Sequence, residues 1–161
     1  MTETRRDGEA GPIRRLLLAL MGVGTAGLLA ELALLEHYES GWQWVPLVLL
    51  GAGLLLGIAV WLKPSAVTLR LFQALMAAYV VAGAVGFWLH FRGNVEFELE
   101  SDPSLGGLAL VWAALQGATP ALAPGAMAQL GLLGLVLAFR HPALARRASP
   151  TSRAGAGDAP V

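Results

Sequence analysis

Four long apolar runs, Ile13 to Leu35, Trp44 to Leu62, Leu71 to Phe91 and Pro120 to Phe139, stand out along the chain, the first three separated by short polar stretches. The second, third and fourth contain no Asp, Glu, Lys or Arg, and the first carries only Arg14 and Arg15 at its start and Glu31 near its end. A bilayer core of about 30 Å is crossed by roughly 20 apolar residues in a helix. Periodicity cannot separate buried helix from strand in such runs, but their length and their Leu, Ala and Gly content favour helices. The roughly ten-residue alternating segments of a membrane barrel are missing. The pattern therefore predicts four spanning helices over 13–35, 44–62, 71–91 and 120–139.

One more stretch, "SLGGLALVWAALQG" over 104–117, is apolar on all sides. As a helix it is about 21 Å long, too short to span. Counting it as a fifth span would also move the Arg140 to Arg153 cluster to the outer side, against the tendency of Lys and Arg to stay in cytoplasmic loops. It is expected as a non-spanning helix that dips into the outer leaflet or packs across the bundle, with Asp102 as its cap and Pro103 at its first position. The following "GATPALAPG" is expected to turn the chain back into the last span, with Pro120 or Pro124 near the helix start. A packed turn is the simpler reading of that segment and a functional re-entrant element the alternative.

Composition agrees with the pattern. The 161 residues are 56% hydrophobic and 14% charged, with mean hydropathy +0.62, against about 25% charged in soluble domains. With the N-terminus inside, Arg5, Arg6, Arg14, Arg15, Lys63, Arg70, Arg140, Arg146, Arg147 and Arg153 fall on the cytoplasmic side and only Arg92 outside. Glu31, Glu36, Glu39, Glu96, Glu98, Glu100 and Asp102 fall at or beyond the outer helix ends. The expected fold is an all-α integral membrane protein, a four-transmembrane-helix bundle with a short extra helix between helices 3 and 4. Residues 12–142 form its single membrane domain, and both termini are cytoplasmic. Residues 1–11 and 148–161 read as disordered tails. The basic start of "PIRRLLLALMGVGTAG" faintly resembles a signal peptide, but the apolar run is too long for a typical one and no clean small-x-small cleavage site precedes Glu31, so it is taken as an uncleaved first span. Dominance of Ala, Gly and Arg over Lys and Asn points to a GC-rich bacterial genome and an inner membrane.

Small residues predict close helix packing: Ala74, Ala78, Ala82 and Gly86 leading to His90 on the third helix; Gly24 and Gly27 leading to Glu31 on the first; Gly53 and Gly57 on the second; Met127, Gly131, Gly134 and Ala138 on the fourth. Trp42 and Trp44 at one end of the second run and Trp61 at the other suit interfacial belts.

The stretch "LHFRGNVEFELESDP", Leu89 to Pro103, is the chemically richest. Read as extended, Val95, Phe97 and Leu99 face one way and Glu96, Glu98 and Glu100 the other. Glu31 and His90, at the outer ends of small-residue faces, are expected to point into the bundle, where an ionisable group is a functional hypothesis by default. Glu31, His37, His90, Glu96 and Glu98 form the candidate set for a divalent transition metal near the outer surface, His nitrogen with carboxylate oxygen being a Zn, Mn or Fe donor set. Their spacing follows no established ligand motif, and a solvated acidic loop is the plain alternative.

Other chemistries find little support. The chain has no cysteine, which removes disulfides, thiolate metal sites and iron–sulfur clusters. No phosphate-binding Gly-rich loop, G-x-S-x-G elbow or H-E-x-x-H pair is present. The arginines flank apolar runs and net charge is zero, so nucleic acid is not an expected partner. The mid-span regions offer little polar beyond Thr25, Gln73 and Gln129, which argues against ion-coupled transport. A bis-His haem through His37 and His90 would need histidines set deeper in the spans. No nucleophile for a lipid-acting enzyme stands out.

The segments "RGNVEFELE", "GATPALAPG", "QLGLLGL" and "RHP", spread over His37 to Pro142, resemble stretches of small, uncharacterised multi-pass inner-membrane proteins of bacteria. The resemblance implies a bacterial membrane protein with a functionally important outer face and carries no activity, ligand or cofactor. The expected function is that of a non-enzymatic membrane component, seated in the lipid bilayer and interacting with a membrane-protein partner or its own copies through helix faces and acidic outer loops. Divalent-metal binding at the outer His/Glu set is the alternative.

Overall fold

A computed structural model describes residues 3–145, with side chains from residue 11. The described chain is helical without strands: α1 (Glu3–Leu34), a 3-10 turn (Gly41–Gln43), α2 (Trp44–Leu62), α3 (Ala66–Ser101), α4 (Gly107–Gln116), α5 (Gly125–Ala138) and α6 (Pro142–Ala145). The tail expected over 148–161 lies outside the described residues, as do Met1 and Thr2. α1 begins at Glu3, upstream of the run that predicted it.

Helices α1, α2, α3 and α5 close a ring in which each touches the next, and α1 and α3 sit diagonally. Neighbours run antiparallel. Gly57 of α2 faces Leu18 and Met21 of α1, Tyr79 of α3 reaches back to Leu49 and Leu50 of α2, and Gly83 and Gly131 pair α3 with α5 in opposite directions. The core is Leu18, Met21, Leu50, Val60, Leu69, Phe72, Met76, Tyr79, Met127, Leu137 and Ala138. Arg14, Arg15, Lys63, Arg70 and Arg140 gather at one end, Glu31, Glu36 and Glu39 at the other.

Three helical segments, Gly11–Leu34, Gly41–Leu62 and Ala66–Ser101, are long and apolar enough to cross a membrane. The fourth predicted span is shorter than expected. Residues 121–124 form turns, and α5 has 14 residues, about 21 Å. Pro120 and Pro124 are responsible, since a proline has no N–H to give and disfavours helix in the residue before it. Pro124 is the N-cap of α5, as expected of a proline near the start.

Helix α3 departs from expectation in the other direction. It runs 36 residues without a break, about 54 Å, so Val95 to Glu100 is helical, not extended. Arg92 Nε donates to Glu96 Oε1 at 2.8 Å one turn on, a pairing that supports helix over strand. Helical geometry also dissolves the predicted acidic face: Glu96 and Glu100 share a side, but Glu98 is turned about 200° from Glu96 and is half-buried. Asp102 ends α3 and does not cap α4. Its N–H donates to the Glu98 carbonyl, and its carboxylate accepts from the Ser104 N–H and hydroxyl. Pro103 cannot continue the α3 ladder, and α4 starts only at Gly107, with Gly106 as N-cap. α4 packs on the projecting end of α3 and on no other helix.

The small-residue rows are realised in part. Met127, Gly131, Gly134 and Ala138 all lie on the buried face of α5. On α3 the buried row is Leu69, Phe72, Met76, Tyr79 and Gly83, while Ala74 is exposed. A strict four-residue row drifts about 40° per step around a 3.6-residue helix. Alternating steps of three and four stay on one face, which carries the row through Gly86 to His90, and one further step of four reaches Asn94. Glycine is required where the backbones close: a Cβ on Gly131 would stand 2.6 Å from the Met76 carbonyl oxygen, and one on Gly83 2.8 Å from the Pro124 carbonyl oxygen. Gly53 leaves the space that the Tyr79 hydroxyl fills, and that hydroxyl donates to Leu49 O at 3.1 Å and Leu50 O at 3.3 Å.

Candidate functional site

The acidic end of the bundle is built on how α1 and α3 finish. α1 closes with a bonded hook: His37 N–H donates to Leu32 O and Glu36 N–H to Ala33 O, with Glu36 in the left-handed region at φ 52°. This is the Schellman arrangement, which usually takes glycine at the Glu36 position. The hook turns His37 back over the bundle, where its ring centroid lies 6.4 Å from that of His90 on α3, the planes inclined at 56°.

His90 has a second contact. Its Nδ1 lies 3.1 Å from the Pro120 carbonyl oxygen. A carbonyl only accepts, so Nδ1 carries the proton and the neutral ring keeps its lone pair on Nε2. One turn further along α3, Asn94 is 2% exposed. Its Nδ2 donates to Ala114 O at 2.9 Å and Thr119 O at 2.6 Å, and its Oδ1 accepts from Thr119 N–H at 3.1 Å. The Ala114 carbonyl belongs to the last turn of α4, whose carbonyls lack intrahelical partners. Gly117 lies against the Asn94 amide with no room for a side chain, a Cβ there falling 2.6 Å from Asn94 Cγ. His90 and Asn94 thus stitch the α4–α5 connection to α3, a role that residue type alone did not reveal. The signal was present in their four-residue spacing below a run rich in Pro and Gly.

The five candidate ligands are only partly brought together. His37 and His90 meet. Glu96 is exposed and engaged with Arg92. Glu98 lies on the α4 side of α3, eight residues beyond His90, about 12 Å along the axis. Glu31 is exposed and lines a groove of about 360 Å³ between α1 and α5 with Gly24, Leu28, Ala126, Gln129, Leu130 and Leu133. It faces away from the expected meeting with His90, because the inner face of α1 is taken by Leu18, Met21 and Thr25. Among the described residues no group of three or more His, Asp or Glu side chains is close enough to hold a metal ion.

The electrostatics of this end are mild. Burial, and secondly the neighbouring His90, hold the His37 imidazole below its ordinary value of 6.5. The Ser104 hydroxyl, and then the Ser104 N–H, hold the Asp102 carboxyl below the usual carboxylate value. At the basic end Arg14 Nη2 donates to Phe139 O at 3.1 Å and Arg140 O at 3.4 Å, closing the end of α5. Burial and the Arg14 charge lower the His141 imidazole, and the Arg15 guanidinium stands 6.0 Å over the Trp61 ring.

Beyond the bundle, α4 turns Leu108, Val111 and Trp112 outward, with Leu108 87% and Trp112 64% exposed. The projecting end of α3 adds Phe97, 55% exposed, beside the acids. This end of the molecule therefore joins an uncovered apolar helix face to a helix end on which the Glu96 and Glu100 carboxylates are exposed. No protein-family model, curated protein or solved structure matches the chain, so the resemblance to small bacterial membrane proteins assigns no family.

Proposed function

We propose that this chain is a multi-pass protein of a bacterial inner membrane, crossing it four times with both termini in the cytoplasm. On this reading it acts as a non-enzymatic component that engages a membrane partner through its helix faces and acidic outer end. The observation that carries the reading is the α3–α4 hairpin. α3 exceeds the roughly 20 residues a bilayer core takes and continues as a polar segment, and α4 packs on it with Leu108, Val111 and Trp112 uncovered. Exposed apolar patches rimmed by charge mark interaction sites. Segregation of basic and acidic residues to opposite bundle ends supports the orientation. Completion of the short α5 crossing by the turn at 121–124 is supported by its bonding: Gly125, Ala126 and Met127 donate to Leu122, Ala123 and Pro124, and Pro120 O is held by His90. Irregular backbone at membrane depth needs such cover.

The test places a photo-crosslinking amino acid at Trp112 in cells and, separately, a cysteine at Gly107 for a membrane-impermeant maleimide. The expected result is labelling at Gly107 from outside intact cells and one discrete adduct from Trp112 that weakens when Glu96, Glu98 and Glu100 become Gln. Labelling at Gly107 only after lysis would reverse the topology, and no adduct would remove the partner surface.

The approach of His37 to His90 favours a second reading, divalent-metal binding by the outer His/Glu set. Among the described residues no third His, Asp or Glu side chain stands with the two imidazoles, so a metal on this reading would take its remaining ligands from water or from a carboxylate that moves in. Mass spectrometry of the purified protein, with and without His37→Ala, decides it: stoichiometric Zn, Mn or Fe lost in the variant supports the site, and no metal in either ends it.

A further inference from the structure

The α1–α5 groove holds a polar group at a depth where it has no solvent. Arg14 bonds the Phe139 carbonyl at the basic end, and Gln129 lies ten residues up α5 from that point, about 15 Å. On the membrane reading proposed above, on which this inference rests, that is the middle of a core of about 30 Å. Gln129 is exposed, on the outside of the bundle, and the groove around it is otherwise lined by Gly24, Leu28, Ala126 and leucines, with Glu31 at its acidic end. Glu31 is 17 residues from Arg14, about 26 Å, near enough to the outer edge for its carboxylate to reach headgroup water. Gln129 has no such escape. An amide facing hydrocarbon without a hydrogen-bond partner is costly.

We infer that this groove is the contact face for a second copy of the chain, with the Gln129 amides bonding to each other across it. The chemistry of the amide selects a second copy as the occupant. It offers both a donor and an acceptor, so two copies related by a two-fold axis along the membrane normal satisfy each other. The axis places both groups at the same depth without further adjustment. Side-chain amides are established partners between helices in membranes. Small residues on both walls allow the approach: Gly24 lines the α1 side and Ala126 the α5 side. Both copies keep the same orientation, basic end with basic end.

The chain has no cysteine, so single-cysteine reporters are unambiguous. Leu28→Cys and Ala126→Cys are oxidised in native membranes beside Leu55→Cys, which is exposed on α2 away from the groove. The expected result is a disulfide dimer of twice the chain mass at Leu28 and Ala126 and none at Leu55. Adding Gln129→Leu to either groove reporter is expected to weaken association roughly tenfold, two interhelical bonds being lost per dimer. Gln129 is exposed, and the unfolding midpoint of the monomeric variant verifies that the fold persists. Equal dimer at Leu55, no dimer at the groove across a hundredfold range of protein-to-lipid ratio, or dimer indifferent to Gln129→Leu would each overturn the inference. Release of the chain from membranes by alkaline carbonate would overturn the membrane reading and this inference together. Retention without groove dimers would overturn the inference alone.

Discussion

Two side chains one turn apart on α3, His90 and Asn94, show how a residue that looks chemical can be structural. Asn94 uses both donors and its acceptor on the backbone of Ala114 and Thr119. Asn94→Leu leaves the buried Ala114 carbonyl unpaired and frees the partly buried Thr119 groups, and is expected to cost about 1–3 kcal/mol. The cost should appear in unfolding of the purified protein and as faster amide exchange confined to 104–119. Asn94→Asp should not rescue it, because a carboxylate has no proton to give two carbonyls. His37 predicts a pH effect. Its imidazole is held below 6.5 by burial and by His90. A histidine with a depressed folded pKa favours the fold only while neutral, because the unfolded chain takes the proton first as pH falls below 6.5. The groups around it are His90 of α3 and, in its own loop, Glu36 and Glu39, both exposed. Acidification from pH 7.5 to 5 should therefore loosen residues 35–43, read as a lower protection factor there once each rate is divided by the intrinsic exchange rate at that pH, and His37→Gln should flatten the response. If the loop is equally protected at both pH values in the native chain, the His37–His90 contact contributes nothing to the fold.

Among the elements, the closest union is α3 with α5, and glycine makes it possible. Gly131→Ala would drive a methyl into the Met76 carbonyl, a backbone atom that cannot swing aside, and should cost about 1–3 kcal/mol. Gly51→Ala on α2 is the counterpart: a Cβ there meets nothing within 4 Å, so it should be neutral or stabilise by up to about 1 kcal/mol. Equal effects in thermal unfolding would mean that α3 and α5 do not approach as described. The α5 row was legible in the sequence because Met127, Gly131, Gly134 and Ala138 already alternate by three and four. The α3 row was misread because its alanines repeat at a tempting four, and Ala74 drifts out of the seam. The helices themselves were readable from run length. The extent of α3 was not, since "VEFELE" alternates like a strand, and only the packing of α4 through Asn94 and the Arg92–Glu96 pair decides for helix. The site was half legible: the approach of His37 to His90 follows from where their helices end, whereas Glu31 turned outward because Leu18, Met21 and Thr25 fill the inner face of α1.

At the scale of the molecule the four ring helices are unequal, with α5 at 14 residues beside α3 at 36. Under the membrane reading, α5 covers about 21 Å of a core of about 30 Å. The turn at 121–124 lies in the remaining interval, its cover supplied by His90, by Gly86 against Pro124 and by the burial of Ala121. Lengthening α3 does nothing to relieve this, because its surplus emerges on the acidic side. In the monomer, where no second copy covers the α1–α5 face, the bilayer must therefore thin beside α5, or the turn must meet lipid, and mismatch costs fractions of a kcal/mol per Å. The protein should be most stable in bilayers of short acyl chains. Its unfolding midpoint in nanodiscs should fall as phosphatidylcholine chains lengthen from 14 to 22 carbons, more steeply in His90→Ala, which removes the side-chain tie to the Pro120 carbonyl and leaves it only the Ala123 N–H of its own turn. A midpoint that rises with thickness in both proteins would mean that the ring does not present α5 to lipid, and that the acidic hairpin, not the short helix, sets the depth at which the molecule sits.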